Sequence, residues 1–151
     1  HENYEAWTLY RIGDLFYSAK LIDQAEEYWT KAVQLAPYVL EFRNKLASLW
    51  FYKGEQEKAK NEWLLILKED EMNYQAWSNL SYYYITKNQF NPAKEAIEKS
   101  ILYNPDYLRA WENLLALAQK TKNRDLAKQA LKEILRIDPL NRQAKQLIKQ
   151  L

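Results

Sequence analysis

The 151-residue chain contains no cysteine and one histidine, which stands at position 1. Without cysteine there are no disulfides, thiolate zinc sites or cysteine nucleophiles. A lone terminal histidine argues against histidine-based acid–base catalysis and His-rich metal sites. The sequence also lacks a phosphate-binding loop, a nucleophile elbow and an HExxH motif. We therefore expect a protein that is not an enzyme and that needs no metal and no cofactor.

Glycine (2) and proline (4) are scarce, which favours helices joined by short loops. No stretch approaches the roughly 18 consecutive apolar residues of a membrane span, and no signal-peptide hydrophobic region is present. The composition is typical of a soluble globular protein, with no membrane insertion by this segment. The missing initiator Met predicts an excised domain or a mature chain, in the cytoplasm or the periplasm. Frequent Lys, Asn, Ile and Tyr indicate an AT-rich genome, which suggests a bacterial source.

Apolar residues recur with a period of 34 residues, and a fixed period of this length is typical of a repeat protein. The repeating alanines, and the large apolar residues four positions after them, are Ala25 and Trp29, Ala59 and Trp63, Ala93 and Ile97, and Ala127 and Leu131. A second apolar series, spaced by three and four residues, precedes each alanine. Such spacing marks one face of a helix, so each unit is predicted to form two amphipathic helices.

Turn residues punctuate these helices in the same register. The turns within the units fall near Lys20, Gly54, Asn88 and Lys122. Gly54 and Asn88 suit the left-handed residue that ends a helix. Three prolines in one register, which cannot extend a helix, close the second helices: Pro37, Pro105 and Pro139.

The pattern resembles the tetratricopeptide repeat (TPR) family. Its motif W-x2-L-G-x2-Y appears as Trp77-x2-Leu80-Ser81-x2-Tyr84, and Pro105 follows at the expected place. The second unit departs most, with Arg43 where Trp is usual and Glu71 where Pro is usual. The positions at which the family often has Gly carry Gly13, Ala47, Ser81 and Leu115. Leu115 is too large for the usual close helix contact, so we expect the last unit to pack differently.

This resemblance covers residues 6 to 141 and implies an all-α fold, a right-handed α-solenoid of antiparallel helix hairpins. Residues 1–5 are predicted to be an N-terminal flank or an expression remnant. The predicted segments of a single domain are TPR 1 (6–39), TPR 2 (40–73), TPR 3 (74–107), TPR 4 (108–141) and a capping helix (142–151). The alternative for the last segment is the first helix of a truncated further unit.

The resemblance also implies where a protein or peptide partner of unknown identity would bind. The first helices should line a concave groove, on positions that the repeat pattern leaves open. These positions carry amides, both charge signs and aromatics: Tyr10, Arg11, Asp14, Asn44, Lys45, Ser48, Asn79, Tyr82, Arg109 and Asn113. In similar TPR domains Asn at the places of Asn79 and Asn113 often bonds a peptide main chain. The alternative is that Asn is merely common there and solvated.

Three consecutive tyrosines divide between these two roles. Tyr84 fills the aromatic place of the motif and Tyr83 falls in an apolar row, so both should be structural. Only Tyr82 should face the groove, beside Asn79. The carboxylate clamp of chaperone-binding TPR domains is incomplete, because Asn44, Ser48 and Asn113 replace its Lys, Asn and Arg. We therefore do not expect binding of chaperone C-terminal tails.

Charge is spread unevenly along the chain. Residues 1–39 hold 3 basic and 6 acidic residues, net −3, whereas residues 108–151 hold 10 and 4, net +6. Self-association head to tail, as a structural scaffold, is thus an alternative function, and a docking domain of a larger protein is another. The simpler alternative is that the lysines only keep exposed helix faces solvated. Nucleic-acid binding is disfavoured, because the basic residues lack interleaved aromatics and the net charge is only +2.

Overall fold

A computed structural model describes residues 3–151, so His1 and Glu2 of the predicted flank lie outside the described residues. Every regular element in the described part of the chain is a helix. The helices are α1 (Tyr4–Ser18), α2 (Ile22–Leu35), α3 (Leu40–Tyr52), α4 (Gln56–Glu69), α5 (Tyr74–Thr86), α6 (Phe90–Tyr103), α7 (Leu108–Lys120), α8 (Arg124–Ile137) and α9 (Arg142–Lys149). α1 begins at Tyr4, inside the segment predicted to be a flank. The chain folds as two compact units, unit 1 through Glu69 and unit 2 from Asp70 to Leu151.

Unit 1 consists of the hairpins α1–α2 and α3–α4, which meet where α2 packs on α3. Its core is centred on Trp29, whose buried indole Nε1 donates to the carbonyl of Tyr10 at 3.1 Å. Gly13 lies against that indole, and a Cβ at this position would overlap the ring. The family's small residue is therefore needed here for a steric reason.

Unit 2 consists of the hairpins α5–α6 and α7–α8, followed by α9 packed on α8. One apolar cluster runs through all of them, and its α9 members are Ala144, Leu147, Ile148 and, just beyond the helix, Leu151. α9 therefore covers the apolar face of the last hairpin with its own apolar side. Leu115, the large residue at the glycine position, is half-buried against the same cluster.

All four turns within the hairpins contain a residue with positive φ. The residues are Lys20 (61°), Gly54 (96°), Asn88 (56°) and Lys122 (56°). The turn positions were predicted, but the left-handed conformation was expected only at Gly54 and Asn88. The turn geometry thus imposes this conformation on two lysines, which adopt it less readily than glycine does.

Asparagine side chains cap four helices, although no such cap was predicted from the sequence. Each accepts a hydrogen bond from a backbone N–H in the first turn, and the capping residues are Asn3, Asn73, Asn123 and Asn141. An Asn cap is worth about 1 kcal/mol relative to Ala. The caps help to set where α1, α5, α8 and α9 begin.

Arg43 replaces the motif's tryptophan by making the same bond. In unit 2 the indoles of Trp77 and Trp111 donate to carbonyls six residues earlier, at Glu71 and Pro105, both at 2.8 Å. In unit 1 the Arg43 guanidinium donates to the carbonyl of Pro37, also six residues earlier, at 3.4 Å. Its Nε and Nη1 atoms also donate to two carboxylates of α4, Glu62 and Glu69 respectively. The loop before the first helix is therefore held in all three repeats.

Candidate partner-binding surface

The ten predicted contact residues all lie on first helices, but their exposure differs. α1 and α3 carry six of them in unit 1, and α5 and α7 carry four in unit 2. Three are exposed: Arg11, Tyr82 and Arg109. Four are half-buried: Asp14, Lys45, Ser48 and Asn79. Three are buried: Tyr10, Asn44 and Asn113. The structure therefore leaves seven of the ten accessible to a partner.

In unit 1 an ion pair connects the first helices of successive repeats. The Lys45 Nζ lies 3.5 Å from Asp14 Oδ1, and 5.5 Å from the centroid of the Trp29 ring. Asp14 Oδ1 is buried and makes no hydrogen bond, so charge attraction and the adjacent ring hold the lysine. Arg11 lies exposed on α1 in the register that Lys45 occupies on α3. Three of the four accessible predicted contacts of unit 1, Arg11, Asp14 and Lys45, are thus charged.

Tyr10 is a core residue and not an open contact. Its ring stacks on Phe42 with centroids 4.6 Å apart, and its hydroxyl donates to Glu41 Oε1 at 3.4 Å. Burial, followed by the nearby Asp14 and Glu41 carboxylates, raises the pKa of this hydroxyl above its ordinary value. All three causes disfavour a phenolate beside these acids. The ring fills the space between α1 and α3, which corrects its prediction as a contact residue.

Asn113 is likewise engaged within the fold. Its Nδ2 donates to the Ser78 carbonyl (2.9 Å), the Ser78 hydroxyl (3.1 Å) and the Ser81 hydroxyl (3.0 Å). The residue is 6% exposed, so this donor group holds α7 against α5 and is not presented to a peptide main chain. Asn44 is 5% exposed and buried in unit 1, so its prediction as a contact residue is corrected as well.

The tyrosine run divides as predicted. Tyr83 is buried, Tyr84 is half-buried against the core of unit 2, and Tyr82 is 39% exposed. Because neighbouring helix residues point about 100° apart, only one of the three can face outward. Tyr82 is therefore the aromatic that α5 offers on its outer surface, in the register of Asp14 and Ser48.

Within residues 3–151, no group of three or more His, Cys, Asp or Glu side chains is arranged to hold a metal ion. None of the helices described here combines the length and the apolar character that crossing a membrane requires.

Comparison with known families identifies the repeat. The tetratricopeptide repeat family matches residues 8–38, 74–107 and 108–139. These ranges make up more than half of the chain, and the chain belongs to this family. The ranges leave out the second repeat, which carries Arg43 and Glu71. The predicted fold class, an α-solenoid of helix hairpins, is confirmed. TPR domains serve in general as protein–protein interaction modules, and at that level the family assigns this chain an interaction role.

Similar proteins extend this finding without naming a partner. An uncharacterized protein of Cyanophora paradoxa, ycf37, is 28% identical in an alignment of 106 residues that covers 68% of this chain. The chain spans 62% of that relative's length, so it corresponds to part of a longer protein there. The crystal structure of MamA has 22% identity and a TM-score of 0.71, over 92% of this chain and 81% of MamA.

Two further solved structures match more tightly in backbone geometry. PilF of Pseudomonas aeruginosa has 17% identity and a TM-score of 0.84, over 98% of this chain and 68% of PilF. A thermophilic TPR protein of Thermus thermophilus has 17% identity and a TM-score of 0.83, over 96% of this chain and 80% of that protein. At these identities the likeness concerns the fold alone.

Proposed function

We propose that the chain binds a peptide or a partner helix on the outer faces of its first helices. The observation that carries the proposal is the register of Asp14, Ser48 and Tyr82. Their side chains are partly or fully exposed, and polar residues flank them on the same helices. Core packing explains the buried positions of these helices, and the Asp14–Lys45 ion pair uses one member of the row, but neither accounts for the exposed ring of Tyr82. A non-catalytic binding surface accounts for it.

In unit 2 the surface combines an aromatic, an amide and a cation. Tyr82 supplies contact area at low entropy cost, and the Asn79 amide matches the donors and acceptors of a peptide main chain. Arg109, exposed at the start of α7, can pair with a carboxylate of the partner. The buried Asn113 fixes α7 against α5, so this surface is formed before a partner arrives.

In unit 1 the corresponding surface is mainly ionic. Arg11 and Lys45 supply positive charge, while Asp14 and the exposed Glu41 supply negative charge. Opposite charges on one surface select a partner by charge pattern more than by area. Unit 1 therefore favours a charged segment, and unit 2 favours an aromatic or amide-rich one.

A selection experiment tests the surface of unit 2. Peptides are selected from a displayed library against the full chain, and their affinities are measured by calorimetry. The double variant Tyr82→Ala with Arg109→Ala should weaken binding by about tenfold or more, which corresponds to about 1.4 kcal/mol. The matched control, Leu102→Ala with Lys99→Ala, removes an exposed apolar and a basic residue from a second helix of unit 2. It should change affinity by less than about twofold.

Equal binding by the wild type and the Tyr82/Arg109 variant, with both proteins folded by circular dichroism, would show that the first-helix surface is not the binding site. A loss in the Leu102/Lys99 control would contradict the proposal in the same way. It would assign binding to the second helices.

Self-association is the second candidate, and Leu15 is the observation that favours it. Leu15 on α1 is 72% exposed, whereas Leu49 and Leu117 in the same register are each 3% exposed. A second copy of the chain would cover Leu15 as the preceding hairpin covers Leu49. Light scattering over a range of protein concentrations, with Leu15→Glu as the control, tests this. A wild type that stays monomeric throughout would exclude it.

A further inference from the structure

The outward side of α8 carries a row of basic residues that the repeat itself does not require. The row has a spacing of four residues and consists of Arg124, Lys128, Lys132 and Arg136, all exposed. In the same register, 34 residues earlier, α6 carries Phe90, Lys94, Glu98 and Leu102. A helix on this side of a repeat is therefore stable without such a row. Solvation of the helix surface does not explain it.

Three of these four cations are in no ion pair among the described residues. Among the ten basic residues of 108–151, all of them described, only Arg136 is in an ion pair, with Asp106 and Glu133. Among the twelve basic residues of 3–107, seven are in ion pairs. The excess positive charge of the sequence is thus concentrated, without internal partners, on the C-terminal helices.

α9 extends this positive surface beside α8. Arg124 at the start of α8 donates to the carbonyl of Leu151 at 3.0 Å, which places the end of α9 next to the start of α8. The apolar residues of α9 point into the core, and its exposed residues include Arg142, Lys145 and Lys149. We define the α8–α9 surface as these three residues together with the α8 row.

A second copy of this chain is a poor source of the missing negative charge. Of the five carboxylates at positions 3–39, all but Glu5 are in ion pairs. Glu26, for example, accepts from both Lys53 and the Trp50 indole. Head-to-tail assembly through residues 3–39 would have to break these pairs to neutralise α8, which favours anions supplied by another molecule.

The surroundings of the row favour a polypeptide over a nucleic acid or a lipid bilayer. α8 and α9 contain no aromatic residue on which a base could stack. Asp125 and Glu133 interrupt the cations on α8, which suits a partner with spaced carboxylates better than a continuous array of phosphates. A helical rise of 1.5 Å per residue makes the spacing of the row about 6 Å, which is also the spacing of carboxylates four residues apart on a partner helix.

We propose that the α8–α9 surface binds an acidic helical segment of another protein, with carboxylates at every fourth residue. The surface lies on different helices from the one proposed above and works independently of it. Single exposed ion pairs contribute at most about 1 kcal/mol, so affinity comes from several pairs acting together. Binding will therefore be weak to moderate, fast to form and sensitive to salt.

Two synthetic helical peptides and the full chain test the proposal by fluorescence anisotropy. One peptide carries Glu at every fourth position, and the other has the same composition with its Glu residues dispersed around the helix. The ordered peptide should bind at least about tenfold more tightly, a difference of about 1.4 kcal/mol. The double variant Lys128→Glu with Lys132→Glu should lose about tenfold or more of that affinity.

The control variant is Lys68→Glu with Lys99→Glu, which makes the same change in net charge on α4 and α6. It should retain binding within about twofold. The proposal is overturned if the ordered peptide does not bind in low salt, if both peptides bind equally, or if the control loses as much affinity as the α8 variant. Tighter binding to anionic vesicles or to an RNA oligonucleotide, lost on Lys128→Glu/Lys132→Glu, would also overturn it, since it would assign the surface to that class of ligand.

Discussion

Units 1 and 2 join their successive first helices with different chemistry. In unit 1 aromatic rings fill the space between α1 and α3, with Trp7 and Tyr10 packed on Phe42 at centroid distances of 4.7 and 4.6 Å. The Lys45–Asp14 ion pair borders this aromatic contact. In unit 2 the small Ser78 and Ser81 let α7 approach α5 closely, and the amide of Asn113 bonds to both.

The comparison teaches that a helical repeat fixes positions without fixing chemistry. Asn113 and Lys45 share a register, yet one is a buried hydrogen-bond donor and the other a half-exposed ion-pair member. A neutral, buried network resists salt, whereas a half-exposed ion pair is screened by it. The two units should therefore respond differently to the same perturbation.

The residues between the helices of each hairpin show a second contrast, in volume. In unit 1 the motif's glycine position carries the smallest residue, Gly13, and the large Trp29 of the second helix fills the space beside it. In unit 2 the corresponding pair is Leu115 and Leu131, which share one apolar cluster. Close packing demands this compensation, because interiors tolerate neither voids nor overlap.

The largest expected effect is the difference in stability loss between alanine variants of Leu117 and Leu15. Leu117→Ala should lower the free energy of unfolding by about 2–5 kcal/mol, because it empties a buried site. Leu15→Ala should change the stability by less than about 0.5 kcal/mol, since most of that side chain already contacts solvent. Urea denaturation followed by circular dichroism measures both. Equal losses would mean that Leu15 is buried in solution, as it would be in a self-associated form.

The next effect tests volume compensation in unit 1. Gly13→Ala should destabilise the protein by about 1–3 kcal/mol, because the added methyl forces the Trp29 indole away from the Tyr10 carbonyl. Trp29→Leu makes room for the methyl, so the double variant should be more stable than the sum of the single effects predicts. Denaturation curves for the full double-mutant cycle measure this coupling. A coupling energy near zero would contradict direct packing of the two residues.

Salt dependence should distinguish the two helix contacts. Asn113→Ala should cost about 1–3 kcal/mol, because it leaves buried groups of Ser78 and Ser81 with fewer partners. Lys45→Met should cost less than about 1 kcal/mol, and this loss should vanish in about 1 M salt, where charges are screened beyond about 3 Å. Stability measurements at low and high salt test the difference. A salt-dependent Asn113→Ala effect would show that its network is not buried.

The smallest effect concerns the two left-handed lysines, one in each unit. Lys20→Gly and Lys122→Gly should each stabilise the chain by up to about 1 kcal/mol, because glycine adopts positive φ without the steric penalty of a side chain. The reverse change, Gly54→Ala, should destabilise by a similar amount. Thermal unfolding of the three variants measures the shifts. Destabilisation by both lysine replacements would mean that their side chains hold the turns.

The candidate surface was only partly predictable from the sequence. Register correctly placed all ten residues on first helices, because a 34-residue period repeats the direction of every side chain. It could not tell that Asn113 is buried while Arg11, in the same register, is exposed. Burial depends on which helices pack beside a position, and α1 is the first helix of the described chain.

The sequence by itself determined the period, the helix hairpins, the turn positions and the family, because these follow from local spacing, proline placement and motif residues. Only the tertiary structure decided which charges are paired and which polar groups form hydrogen bonds within the fold. Arg43 pairs with Glu62 and Glu69, 19 and 26 positions away, and Asn113 bonds to Ser78 and Ser81, 35 and 32 positions away. Such partners lie far apart in sequence and near in space. No local pattern encodes their distances.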